Sequence, residues 1–364
     1  MKIKAKEPRV PGTARTKFRH RFQFTKKEKL GLAILLLLSL IIGSYFLFFT
    51  NKEQASVPVS APTLKPTQVE EKIYSPLTGQ EVTDEQAKRP ITSIVLENAP
   101  EARPQSGLKD AGIVFEAIAE GGITRFAAIY QEGAPQDIGP VRSLRPYFLD
   151  WLRPFDATIT HVGGSQKALR MVRDGSWKDM DQFANGKSFR RITERRAPHN
   201  VYTSFEKIDS FNQSKNYSLK DFESFTRKED QKSSAPQVSS IKLNVSSGKY
   251  NVAYSYNSAN NSYLRSQGGE AHLDKSGAQI EPKVVVALVV PYSIVQEDGS
   301  RYSYQTTGTG KAVVFQDGKA VEATWSKTNQ ASQIRLTDST GTDIKLNRGQ
   351  TWFTAVNSND RIVF

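Results

Sequence analysis

"IVFEAIAEGGITRFAAIYQ", residues 113–131, places two apolar, β-branched runs on either side of Gly121-Gly122. A Gly-Gly pair supplies the positive backbone angles of a tight turn, so the stretch predicts two consecutive strands, "GIVFEAIAE" and "ITRFAAIYQ". Upstream, "ITSIVLEN" has the same strand-like texture. Downstream, "SLRPYFLDWL" and "SQKALRMVRD" carry apolar residues at helical spacing, with the strand candidate "ATITHV" between them and a later helix in "SFEKIDSFNQ". Strands interleaved with helices predict an α/β or α+β domain over residues 76–226.

The texture changes after the polar stretch "TRKEDQKSSAPQVSS", and a linker is expected over residues 227–240. From 241 to 364 come short runs such as "KYNVAYSY", "KVVVALVV" and "QTWFTAV", with turn chemistry in "QDGK" and "DSTGTD". This pattern predicts a mainly antiparallel β C-terminal domain.

Leu30 to Phe49 is a run of twenty residues without a charge. At helical rise it spans roughly 30 Å, the thickness of a bilayer's hydrocarbon core. It predicts one transmembrane helix, a signal anchor rather than a cleaved signal peptide, because the run is longer than a signal peptide's apolar region. Of the chain's 50 basic and 37 acidic residues, eleven and two lie in residues 1–29, which leaves 39 against 35 for the rest. The positive-inside rule therefore places the N-terminus in the cytoplasm and the bulk of the chain outside the plasma membrane. A Pro-rich linker is expected over residues 50–75. The overall charge of +13 thus sits mostly in the tail, and the near-balanced remainder speaks against a nucleic-acid partner. There is no cysteine, which excludes thiol chemistry and a lipid-modified N-terminal Cys.

Three constellations are candidates for chemistry. In "IGPVRSLRPYFLDW", residues 138–151, Ser143 is the expected N-cap of a helix, and Arg142 and Arg145 flank its start. Two guanidiniums there need a negative answer, from a phosphate or carboxylate ligand or from internal acids among Glu97, Glu116 and Glu120. In "THVGGSQKALR", a strand runs into Gly163, Gly164 and Ser165 and then a helix. This is either a second anion-binding corner or a plain turn with Ser165 as N-cap. It fits neither a Walker loop nor a dinucleotide fingerprint, and no cofactor is expected.

In "VLENAPEARPQSGLKDAGIVFEAIAEGGITRF", Asn98, Arg103 and Gln105 lie in a loop, and Arg125 follows on the strand pair. Glu116 and Glu120, four apart, share one strand face and could act as general acid and base with His161 or His199. A solvated or salt-bridged face explains them equally without catalysis. No His/Asp/Glu cluster has metal-ligand spacing, so no metal is expected. Trp325 and Trp352 are either a docking platform or core.

"PLTG", "RPITSIVLENAPEARPQSGL", "IVFEAIAEGGITRFAAIYQ", "IGPVRSLRPYFLDW" and "HVGGS", followed by "GTGKAVVFQDGK", "TWSK" and "GQTWFTAV", resemble the YerB-like family of bacterial membrane-attached lipoproteins, which pairs N- and C-terminal domains of unknown function. The resemblance covers residues 75–364, implies the same two-domain division, and brings no reaction or ligand with it. Members of that family are typically anchored through a Cys, so here the Leu30–Phe49 helix would replace the lipid.

The resulting expectation is a membrane-anchored extracytoplasmic protein that binds an anionic envelope ligand. Arg142, Ser143, Arg145, Gly163, Gly164, Ser165, Arg103, Arg125 and Asn98 are the candidate contacts. An envelope hydrolase or transferase using Glu116, Glu120, His161 or His199 is the first alternative, and a protein-interaction scaffold the second.

Overall fold

The computed structural model describes residues 25–49, 72–295 and 301–364. Most of the expected basic tail (1–29) and of the linker (50–75) lies outside the described residues. Helix α1 runs over Lys26–Phe49 and takes in the uncharged run. Among the described residues no helix is long and apolar enough to cross a membrane, so the expected transmembrane helix over Leu30–Phe49 is not shown.

Glu70–Phe364 forms one compact unit. Its first half contains β1 (Thr92–Glu97), β2 (Ile113–Glu120), β3 (Ile123–Tyr130), β4 (Thr158–His161), β5 (Lys178–Asp181) and the short pair β6 (Arg190–Arg191) and β7 (Val201–Tyr202). Its helices are α2 (Asp84–Lys88), α3 (Pro146–Leu152), α4 (Gln166–Val172) and α5 (Phe205–Ser214). The second half is built of strands: β8 (Arg227–Lys228), β9 (Ser240–Leu243), β10 (Val252–Asn257), β11 (Ser262–Gln267), β12 (Glu270–Ala271), β13 (Val284–Val289) and β14 (Tyr292–Val295). It continues with β15 (Arg301–Tyr304), β16 (Gly308–Gln316), β17 (Lys319–Lys327), β18 (Arg335–Thr337), β19 (Leu346–Asn347), β20 (Thr351–Val356) and β21 (Ile362–Val363).

The opening stretch forms the expected hairpin, with Gly121 and Gly122 at φ of 55° and 77°. Ile113 to Ala119 are all buried, and so are Thr124 to Tyr130, because this hairpin lies in the middle of a sheet covered on both faces. The sheet has twelve strands: ten follow the order β18-β17-β16-β13-β20-β2-β3-β1-β4-β5, and the pair β14-β15 branches from β2. It crosses from one half of the chain to the other where β20 pairs in parallel with both β13 and β2. Parallel pairing is therefore added to the mainly antiparallel second half, and the halves share a hydrogen-bonded sheet.

The polar stretch after Thr226 is tied down at its start, where β8 pairs with β19. The Arg227 guanidinium donates to the carbonyls of Leu77 (2.8 Å) and Asn347 (3.0 Å).

One face of the large sheet packs Ile113, Phe115, Ile129 and Phe353 against Phe148, Trp151 and Leu152 of α3 and Ala168 and Val172 of α4. The other face carries Val114, Phe126 and Trp352 under Phe205, Ile208 and Phe211 of α5. Further along that face, Val285, Val313 and Phe315 meet a second sheet, β12-β11-β10-β9-β21, through Ile241, Tyr254 and Tyr263. Trp325 and Trp352 are both buried core residues, so the exposed aromatic platform that motivated a scaffold role is not formed. Trp352 lies in β20, buried on both faces, and Trp325 points inward from β17, whose opposite face is partly exposed.

Candidate functional site

The first strands deliver their ends to one place. β1, β4 and β5 run parallel and finish at Glu97, His161 and Asp181. In open parallel sheets, the carboxyl ends of strands are where ligands are commonly held. Residues 141–145 pass between the ends of β1 and β4: Arg142 N donates to Val95 O (2.8 Å), Val162 N to Arg142 O (3.1 Å) and Leu144 N to Gly163 O (3.0 Å). Arg142, Ser143, Arg145, His161, Gly163, Gly164 and Ser165 are thereby brought together by the backbone. Asn98 follows Glu97 directly and donates to Thr124, while Arg103, bonded to Asn98, reaches Lys249 O of the second half instead of the other arginines.

Ser143 is not the cap of α3. Arg145 holds that position in extended conformation, followed by Pro146, because proline is compatible with the first helical turn and restricts the residue before it to extended backbone. Ser165 does cap α4, its hydroxyl accepting from Ala168 N at 3.3 Å.

Glu116 and Glu120 do not share a face. The pairing of β2 with β3 slips by one residue between Ile118 and Glu120, and a bulge of this kind turns the following side chain to the other side of the sheet. Glu116 accordingly accepts from Thr124 (3.0 Å), and Glu120 pairs with Arg125, the next residue along β3 (2.6 Å). Successive strand residues point to opposite faces.

Glu120 is the hub of an arginine cluster. It pairs with Arg125 and with Arg145, both guanidiniums almost wholly buried, while a third of its own side chain is exposed. Their remaining arms donate to the carbonyls of Ser143 (3.0 Å) and Leu144 (2.9 Å). Burial pushes the Glu120 carboxyl up, but Arg125, Arg145 and Arg142 outweigh it and leave the group below the ordinary carboxylate value. Burial, with Arg145 beside it, lowers Arg125 to about 10. Arg142 itself lies with Nε 3.0 Å from Glu97 Oε1, and the other Glu97 oxygen is 2.9 Å from His199 Nδ1.

His161 is fully buried, with Nε2 2.9 Å from Asp179 and Nδ1 2.7 Å from Gly163 O. Gly163 adopts φ +57°, and its N–H donates to Asp181 (2.9 Å). Each of these two histidines has an acidic partner, and in neither case is it Glu116 or Glu120.

A cavity of about 130 Å³ opens beside the cluster, lined by Arg145, Ser165, Lys167, Asp150 and the phenols of Tyr302 and Tyr304. Asp150 accepts from Thr306 (2.7 Å) and Gln330 (2.8 Å), and burial raises its carboxyl above the ordinary value. Asp150, Lys167 and Tyr302 escape sequence reasoning. The first two lie inside stretches singled out for other residues, the arginines of residues 138–151 and the Gly-Gly-Ser turn, and Tyr302 comes from the distant β15.

Glu116 belongs to a closed network that sequence reasoning also missed. Its carboxylate receives Arg265 (2.8 Å) and Trp352 Nε1 (3.1 Å), with Glu116 and Arg265 completely buried. Arg265 stacks over Trp352 at 4.5 Å and hydrogen-bonds His272, whose other nitrogen meets Gln105 at 2.9 Å. Gln105 donates to Asn98 (3.1 Å), which donates to Thr124 (2.6 Å). Glu116 is therefore sealed from any substrate, and its chemistry is that of a buried ion pair joining the two halves of the chain.

The sheet shared by the two halves, with its arginine-rich end, defines a paired-domain family: the chain belongs to the proteins of unknown function with DUF3048 N-terminal and C-terminal domains, matched over residues 77–218 and 241–353. It is similar to "Putative lipoprotein YerB" of Bacillus subtilis (strain 168), 33% identical over 291 residues that cover 78% of this chain and 85% of the relative. The crystal structure of the Bacillus subtilis YerB protein superposes with a TM-score of 0.72 at 30% identity, covering 80% of this chain and 99% of that one.

Proposed function

We propose that this is a membrane-attached, extracytoplasmic binding protein that recognises an anionic, phosphate- or carboxylate-bearing group of the cell envelope. The observation that carries the reading is the cavity where Arg145 and Lys167 meet the hydroxyls of Ser165 and Tyr302. Behind it, Arg125 and Arg145 share the single carboxylate of Glu120 while Arg142 pairs with Glu97, so three guanidiniums face two carboxylates and the cluster holds an excess of positive charge that a ligand anion would answer. The volume, about 130 Å³, is below the roughly 300–1,000 Å³ of sites that enclose a whole small molecule, and suits one charged group of a larger ligand.

Attachment rests on helix α1 with its uncharged run and on the description of the relative as a lipoprotein. The basic tail favours an N-terminus inside the cell. Recovery of the chain in the membrane fraction, with residues 70–364 cleaved by protease added to intact protoplasts, is the expected result; a soluble chain overturns this part.

The ligand is tested by thermal unfolding of the full chain in lipid nanodiscs with inorganic phosphate, acetate or phosphorylated and carboxylated cell-wall fragments. At least one of these is expected to raise Tm, and Lys167→Ala and Arg142→Ala to diminish the rise. A wild-type Tm indifferent to all of them, or a rise untouched by both substitutions, removes the reading.

A further inference from the structure

A second cavity, of about 440 Å³, shares no lining residue with the one beside the arginine cluster. One wall is the turn at Pro100 and the following Arg103-Pro104; the other is the hairpin of β11 and β12 with His272 and Leu273. This size falls in the range of cavities that hold a whole small molecule. Pro100 and Pro104, with Ala271 and a Leu273 that is 41% exposed, make the walls mainly apolar, and the charged side chains in the lining are Arg103, Lys249 and Glu270.

The polar groups of the cavity are unevenly satisfied. His272 is committed on both nitrogens, to Arg265 and Gln105, and burial together with Arg265 keeps it well below its ordinary pKa and so neutral. Gln267 is 4% exposed; its Oε1 accepts from Arg265 (2.9 Å), but its Nε2 is buried with no acceptor.

Arg103 donates through Nε to Asn98 Oδ1 (3.1 Å) and through Nη2 to the carbonyls of Asn98 (3.0 Å) and Lys249 (2.9 Å), and stacks over Tyr250 at 5.3 Å. These contacts fix the guanidinium in place without a carboxylate, and among the described residues Nη1 has no acceptor. Burial and the nearby Arg265 both disfavour its charge. A half-buried cation held this way gains from an incoming anion.

We propose that this cavity is a binding site for a small carboxylic acid with an apolar body, its carboxylate on Arg103 and its body between Pro100 and Pro104 on one side and Ala271 and Leu273 on the other. Gln267, whose amide Nε2 has no acceptor, belongs to the same lining. The site is separate from the Arg145 cavity and does not depend on the function proposed for it.

The test is calorimetric titration of the full chain in lipid nanodiscs, with empty nanodiscs subtracted. The probes are 3-phenylpropionate, 3-phenylpropanamide and acetate. Phenylpropionate is expected to bind, acetate not to bind, and the amide to bind about tenfold more weakly because it brings no charge to Arg103. Ala271→Trp, which fills the cavity from an exposed strand position, is expected to abolish binding with the Tm unchanged. Arg103→Gln should bring the carboxylate down to the level of the amide. Absence of phenylpropionate binding, equal binding of acid and amide, or binding that survives Ala271→Trp in a folded protein overturns the proposal.

Discussion

Glu120 and Glu116 show how two identical side chains on one strand take opposite parts. Glu116 is sealed with Arg265 under Trp352, whereas Glu120 keeps a third of its side chain in water and holds Arg125 and Arg145 in place. Removing the Glu120 charge leaves two buried guanidiniums without their carboxylate. Glu120→Gln is expected to cost about 2 kcal/mol at neutral pH, less than the ~3–5 kcal/mol for breaking a fully buried pair, because water screens the exposed part. The pH dependence has a definite sign. The folded carboxyl lies below its ordinary value, so its stabilisation is complete above the unfolded-state pKa and is lost as pH falls through the folded one. Urea titrations of wild type and variant should differ at pH 7 and converge as pH falls through the folded carboxyl's lowered value.

At the scale of elements, the turn between β4 and α4 positions the site. Gly163 sits in the left-handed region at φ +57°, and a Cβ there would lie 3.1 Å from the Phe183 ring. Phe183 is exposed and can yield, so the cost is mostly backbone. Gly163→Ala is expected to lower stability by about 1–2 kcal/mol. It should also loosen the bond from Leu144 N to Gly163 O, seen as faster hydrogen exchange at Leu144. The strand–turn–helix order here was legible from "THVGGSQKALR", and so was the Ser165 cap. The cap of α3 was not, because Pro146 and not the nearest hydroxyl decides where that helix starts. Nor was the bulge in β2, since an extra residue in a ladder leaves no mark on the strand's own pattern of apolar residues.

At the scale of the whole molecule, β20 between β2 and β13 makes the two matched regions one folding unit. Cutting the chain between them would expose the β2 and β20 edges, both apolar on their two faces, and would leave Glu116 or Arg265 buried alone. Segments 70–226 and 241–364 expressed separately are therefore expected to be unfolded or aggregated. Mixed during refolding, they should recover the native far-UV spectrum, and the intact chain should unfold in one transition. Two independent native spectra would contradict this.

The sequence by itself determined the strand pair around Gly121-Gly122, the alternation of helix and strand that follows, the uncharged run inside α1 and Ser165 as the cap of α4. All of these depend on local periodicity and turn chemistry. Tertiary structure alone decided which acid answers which arginine, and that Trp325 and Trp352 lie in the core. It also set Arg103 apart in its own cavity and ran one sheet through both halves. Those outcomes depend on strand order and register, which join residues distant in the chain such as Glu97 and Arg142 or Glu116 and Arg265, and no local pattern records them.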